Sequence, residues 1–152
     1  LGTKYTEALG ATFLSEDGSR RPVVMGSYGI GLGRALACVV EAHHDEKGIA
    51  WPIEIAPYRA HLVAIGANRD EAVREAAEDL YQRLVDAGVP VLYDDRDESP
   101  GVKFTDAELL GMPTIVTVSP RSLAAGGVEV TDRASGDRSV RPVEDLLAEL
   151  SA

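Results

Sequence analysis

Residues 61–95 read HLVAIGANRDEAVREAAEDLYQRLVDAGVPVLYDD. His61 to Gly66 is a short apolar run that suits a buried strand. Val73, Ala77, Leu80 and Leu84 then recur at helical spacing, with Gly88 as the stop, before a second strand in VPVLYDD. Asn68 and Glu71 stand at the spacing of a capping box and predict the helix start. A strand, a helix and a strand in this order predict a parallel crossover, the unit of an α/β domain.

The pattern continues outward. Ser99-Pro100 predicts an N-cap and first-turn proline for a short helix that runs to Leu110 and closes on Gly111. PTIVTVSP is a third strand. Val128 to Thr131 and Ser139 to Arg141 read as strands joined at Ala134-Ser135-Gly136, and VEDLLAELSA as a last helix. The expectation for residues 58–152 is one compact α/β domain with a parallel core. Pro52 and Pro57 in IAWPIEIAPY predict an extended connector, with the boundary near Pro57 and Trp51 packing at the junction.

Upstream, LGTKYTEALGATFLSEDG reads as strands without partners, and Leu1 stands where a complete chain would carry Met. Residues 1–57 are therefore expected to be the edge of a larger domain. Within them, Gly29, Gly31 and Gly33 recur at the period of a strand, with Gly26 before them and Arg34 directly after. A strand face without side chains is a floor on which a planar group can lie close to the backbone. An arginine at its edge can stack on a ring and hold phosphate oxygens. The same pattern fits close strand–helix packing with Arg34 in a surface ion pair.

Composition bounds the rest. The chain is 45% hydrophobic and has no apolar run of the ~18 residues that a membrane span needs. A single cysteine, Cys38, fits a reducing cytoplasm and excludes an internal disulfide. The net charge of −10 weighs against binding nucleic acid through phosphates, but leaves base reading by stacking and hydrogen bonds open. Asp94, Asp95, Asp97 and Glu98 around Arg96 lack the looped spacing and turn glycine of a cation site, and His43 and His44 lack a second ligand pair. No metal site is expected.

Several stretches carry a family resemblance. MGSYGIGLGRALACVVE resembles motif 3 of class II aminoacyl-tRNA synthetases. LGTKYTEALGA and HHDEKGIAWPIEIAPY are similar to the bacterial-type prolyl enzymes on either side of that motif. YDDRDESPGVKFTDAELLGMP is similar to the anticodon-binding domain shared by the prolyl, threonyl, histidyl and glycyl enzymes. The resemblance implies a C-terminal part of a proline–tRNA ligase. Residues 1–57 would end an antiparallel catalytic domain with a motif 3 strand and helix. Residues 58–152 would form an α/β anticodon-binding domain with a mixed, largely parallel sheet flanked by helices.

It further implies ATP with Mg2+, L-proline and the proline tRNA as substrates, a homodimeric full-length enzyme and no prosthetic group. Arg34 takes the place of the catalytic motif 3 arginine. Thr3, Gly31, Gly33 and Arg34 fall along the ATP site, and Tyr5 with Gly26-Ser27-Tyr28-Gly29 along the proline pocket. Lys103, Arg96, Asp97 and Phe104 fall where the family's domain reads the anticodon, though Phe104 also suits a core position. Motifs 1 and 2 are absent, so the chain alone is expected to be inactive. The alternatives are a threonyl, histidyl or glycyl fragment, a non-catalytic paralogue, or a small α/β nucleotide-binding module.

Overall fold

A computed structural model describes residues 1–151, which divide into two compact units, Leu1–Leu36 and a second that begins at Ala37. In the first unit, α1 (Lys4–Leu9) ends on Gly10 in the left-handed region. β1 (Thr12–Leu14) and β2 (Arg20–Pro22) pair antiparallel, with Phe13 opposite Arg21. The turn between them is set by Asp17, whose carboxylate accepts from the Ser19 N–H and hydroxyl. The opening is thus partly helical, and its strands pair with each other, which corrects the expectation of unpaired strands. Lys4–Leu9 has no strand beside it among the described residues, and a helix satisfies its backbone groups internally.

The glycine stretch also departs from its expectation. Met25 makes an isolated bridge to Gly2, but Gly26 to Gly31 form no strand. α2 (Leu32–Ala42) takes Gly33, expected on the strand face, and Arg34 into its first turn. A strand needs a ladder partner, and none of the described residues supplies one beyond Met25. Gly29 and Gly33 have no left-handed φ, and a Cβ on either would meet no atom within 4 Å. Neither backbone conformation nor close packing within the described residues accounts for these two glycines.

The second unit holds β3 (Ala60–Ala64), α3 (Glu71–Asp86), β4 (Val91–Asp94), α4 (Pro100–Leu110), β5 (Thr114–Val118), α5 (Pro120–Ala124), β6 (Val128–Asp132), β7 (Arg138–Arg141) and α6 (Val143–Leu150). The strand order is β4-β3-β5-β6-β7. β3 runs parallel to β4 and β5, while β6 and β7 add antiparallel hairpin fashion. The mixed α/β sheet agrees with the sequence expectation. Ala60, Leu62 and Ala64 alternate onto one face, where Val73, Ala77, Leu80 and Leu84 of α3 and Leu146 and Leu150 of α6 complete the core. Each fully buried leucine there stabilises the fold by about 1.5–3 kcal/mol. Val63 and Ile115 point to the other face and pack with Ala107 of α4.

Local chemistry fixes the helix ends. Asp70, not Asn68, caps α3: its side chain accepts from the Ala72 and Val73 N–H groups. The turn at Gly66, at φ +83°, carries the chain past Asn68 before the helix begins. Ser99 caps α4 with Pro100 in the first turn, and Gly111 closes the helix in the left-handed region, as the sequence indicates. α5, capped reciprocally by Ser119 and Ser122, has no counterpart among the sequence expectations.

The segment before β3 is not a plain connector. His44 bridges Ile49 around a turn at Asp45–Gly48, and Ile49 and Trp51 donate their N–H groups to the carbonyls of Leu109 and Gly111. The Trp51 indole N–H donates to the Leu110 carbonyl, a contact inside the second unit. The second unit therefore begins at Ala37, upstream of the boundary expected near Pro57.

Gly111 lies at φ +70°, and a Cβ there would sit 1.8 Å from the Ile49 carbonyl oxygen. Gly111→Ala is expected to cost about 3 kcal/mol, combining left-handed strain with a backbone clash. Gly88→Ala, at φ +73° but facing open space, is expected to cost about 1–2 kcal/mol. Urea unfolding of the two variants checks the ranking.

Candidate functional site

The parallel strands β3 and β4 end at one edge of the second unit, where the loops 65–70 and 95–99 meet the first turn of α4. This is where a parallel α/β sheet ordinarily presents ligand-binding groups. Of the clefts there, two share Tyr93, Asp95 and Arg96. One, of about 260 Å³, is lined by Asn68, Arg74, Asp95, Arg96, Asp97 and Lys103 among others. The larger, of about 480 Å³, runs between β4 and α4 and is floored by His61 with Leu92, Asp106, Leu109 and Leu110 on its walls.

Arg96 organises the β4 loop. Its Nε and Nη2 lie 2.9 and 2.7 Å from the two Asp94 oxygens, and Nη2 also lies 2.8 Å from Asp106 Oδ2. The Arg96 guanidinium holds the Asp94 carboxyl below its usual range, and the two carboxylates raise the arginine in turn. Asp97 is exposed and accepts from the Asn68 amide, joining the two loops. Tyr93 stacks on Tyr81 with ring centroids 5.4 Å apart, and burial pushes its phenol up.

Lys103, expected among the residues that read the anticodon, is buried. It is 3% exposed, and its Nζ donates to the carbonyls of Ala64 at 2.9 Å and Asp94 at 3.1 Å. The ammonium thus ties together the ends of β3 and β4, with Asp94 Oδ1 3.9 Å away. Phe104 is half-buried. The sequence places four residues at the anticodon site; the structure brings Arg96, Asp97 and Lys103 to one cleft, and Phe104 does not line it. Asn68, read from the sequence as a helix cap, joins them.

His61 was legible in the sequence only as part of a strand, yet a polar residue in an otherwise aliphatic run was its signal. It is 2% exposed, and Nδ1 has no hydrogen-bond partner. Burial lowers its pKa from 6.5. A depressed histidine pKa contributes stability that is present above pH 6.5 and lost as pH falls through the folded value. Acidification from pH 7 to 5 is expected to lower the urea midpoint, and His61→Leu is expected to flatten that dependence. The carboxylates Asp45 and Asp94 act only below their ordinary 3.8, so the windows separate.

In the first unit, the Gly2–Met25 bridge sets the segment of Thr3 beside that of Gly26. Thr3 is the N-cap residue of α1 and bonds Glu7 through its hydroxyl. The Tyr5 ring is half exposed beneath the Lys4 ammonium. The Tyr28 ring is 98% exposed and leans over Gly26, where a Cβ would lie 3.0 Å from it. Ser27, Gly29, Gly31 and Gly33 are exposed. Arg34 is exposed in the first turn of α2, without an ion pair among the described residues. No group of three or more His, Cys, Asp or Glu side chains among the described residues gathers to hold a metal. No described helix is long and apolar enough to cross a membrane.

The mixed sheet carries two polar loops and a helix N-terminus at its parallel-strand ends. The chain belongs to the anticodon binding domain family, whose model matches residues 59–152. Across its whole length it is also similar to proline–tRNA ligases. It is 48% identical to that of Citrifermentans bemidjiense over 100% of this chain and 26% of the relative. It is 50% identical to that of Salinispora tropica over 99% of this chain and 25% of the relative. For Desulfitobacterium hafniense the identity is 51% over 96% and 25%. The chain thus spans about a quarter of the length of these curated relatives.

Proposed function

We propose that this chain is the part of a proline–tRNA ligase that supplies motif 3 and reads the anticodon of the proline tRNA. The observation that carries the reading is the reach of the similarity. It covers residues 1–58 as well as the matched domain, at about half identity to enzymes of one amino-acid specificity. The alternatives with threonyl, histidyl or glycyl specificity would share the second domain without that agreement upstream. In this reading residues 1–57 belong to the catalytic domain and residues 58–152 to the anticodon-binding domain.

The full-length enzyme, a cytoplasmic homodimer, joins L-proline to ATP, taken with Mg2+, and passes the prolyl group to tRNA. Arg34 stacks against the adenine and offsets charge on the departing pyrophosphate. Gly31 and Gly33, with Thr3, line the ATP site. Tyr5, Gly26, Ser27 and Gly29 line the proline site.

In the second domain Asn68, Arg96 and Asp97 stand at the exposed strand ends, where carboxylate and amide groups can meet the N–H edges of unpaired bases. Lys103 acts from below by holding those loops, and Phe104, half-buried in α4, is the stacking residue of this reading. The reading is tested by ATP–pyrophosphate exchange of the full-length ligase with proline, threonine, histidine and glycine in turn. Exchange driven by proline alone is the expected result. Exchange driven by another of the four would transfer the chain to that enzyme.

A further inference from the structure

α4 covers β3 and β5 on its side of the sheet and leaves a cleft beside β4. There Leu92, His61 and Ile115 stand in register across β4, β3 and β5. Val63 and Ile115 pack against Ala107 of α4, which closes the β5 end of the row. β4 is the edge strand, so no further strand closes the other end. The cleft of about 480 Å³ opens here, between Leu92 and the α4 residues Asp106, Leu109 and Leu110. Leu109 and Leu110 are 55% and 42% exposed, an apolar wall that the fold itself leaves uncovered.

The floor of the cleft is polar. His61 lines it, is 2% exposed, and has no hydrogen-bond partner at Nδ1. Buried polar atoms are ordinarily paired, and an unpaired one on an apolar cleft of ligand size is a position for a ligand's polar atom. Burial lowers the histidine pKa, so the ring is neutral at pH 7 and offers one N–H and one acceptor nitrogen.

The rim sets the charge of what can enter. Asp94, Asp95 and Asp106 line the cleft with a single guanidinium, that of Arg96. Arg96 is committed to Asp94 and to Oδ2 of Asp106. Among the described residues this leaves Asp106 Oδ1 and the exposed Asp95 as acceptors. Three carboxylates against one cation repel an anion and favour a donor group, the more so beside low-dielectric walls.

We infer that this cleft is a binding site for a small planar amine or amidine. Its heteroaromatic body lies between Leu92 and Leu109, a ring nitrogen pairs with Nδ1 of His61, and its amino group meets Asp106. The same carboxylates oppose a phosphate, so the occupant is a free compound and not a base held within RNA. Every residue of the site belongs to the second unit, and the inference does not depend on the proposed function.

The test titrates this chain with 2-aminobenzimidazole and follows the backbone amides and the imidazole nitrogens by NMR. The expected result is one-to-one saturation with a Kd on the order of 0.1–1 mM, as suits a ligand of this size. The shifts are expected at His61, Leu92 and Leu109 and in the His61 ring signal. 2-Naphthoate, planar and anionic, is expected to bind at least about tenfold more weakly. Asp106→Asn is expected to weaken the amine about threefold. His61→Phe, which keeps a ring and removes its nitrogens, is expected to weaken it about fivefold.

No saturation, or a His61 ring signal that stays unmoved at saturation, would overturn the inference. Equal affinity for 2-naphthoate would reduce the cleft to an apolar patch and overturn it as well, as would unchanged affinity in folded His61→Phe. If that variant does not fold, the ring signal of the wild-type chain decides. A short unpaired RNA that moves this signal in the same way would assign the cleft to RNA and overturn the assignment to a free compound.

Discussion

Lys103→Ala is expected to lower the unfolding free energy of this chain by about 3 kcal/mol. A buried ammonium that is removed leaves its partners behind, and breaking such an arrangement costs about 3–5 kcal/mol. Here the carbonyls of Ala64 and Asp94 lose their donor, while the Asp94 carboxylate keeps its three bonds from Arg96. The lower end of the range therefore applies. Lys103→Met, which keeps most of the volume, is expected to lose about 2 kcal/mol through the unmet carbonyls alone. Urea denaturation followed by circular dichroism measures both. Unchanged stability, with a loss of affinity confined to one anticodon, would instead assign the ammonium to a base.

Arg34→Ala in the full-length ligase is expected to remove proline-dependent pyrophosphate exchange while leaving the fold intact. A main electrostatic contact to a transition state is worth about 3–4 kcal/mol, or two to three decades in rate. Arg34 is exposed in the first turn of α2 and free of ion pairs among the described residues, so its loss breaks no ion pair within this chain. Near-normal exchange in the folded variant would remove the motif 3 assignment.

Local patterns were read well and long-range ones were not. The buried positions of α3, the strands β3 to β7 and the caps of α4 were legible because each follows from periodicity or from one or two capping residues. Asn68 was misread because two residues near the helix start could cap it. Asp70 prevails because the Gly66 turn places it at the helix start and frees Asn68 for Asp97. The glycine stretch has strand period but no ladder partner among the described residues, and period alone does not make a strand.

The burial of Lys103 was not legible because nothing local reveals two strand ends meeting at its ammonium. Arg133 sits in a turn-like sequence, and its partner Asp45 is 88 residues away. No local pattern reports a contact of that separation.

The most direct test of the central claim is a titration of this chain with the proline tRNA and with the same tRNA carrying another anticodon, at several salt concentrations. With a net charge of −10, the chain neutralises few phosphates, so affinity is expected to fall only gently with salt. The proline anticodon is expected to bind at least about tenfold more tightly, since each base-edge contact is worth about 1–3 kcal/mol. Equal affinity for the two tRNAs, or a steep salt dependence of the kind basic phosphate-binding domains give, would contradict the account.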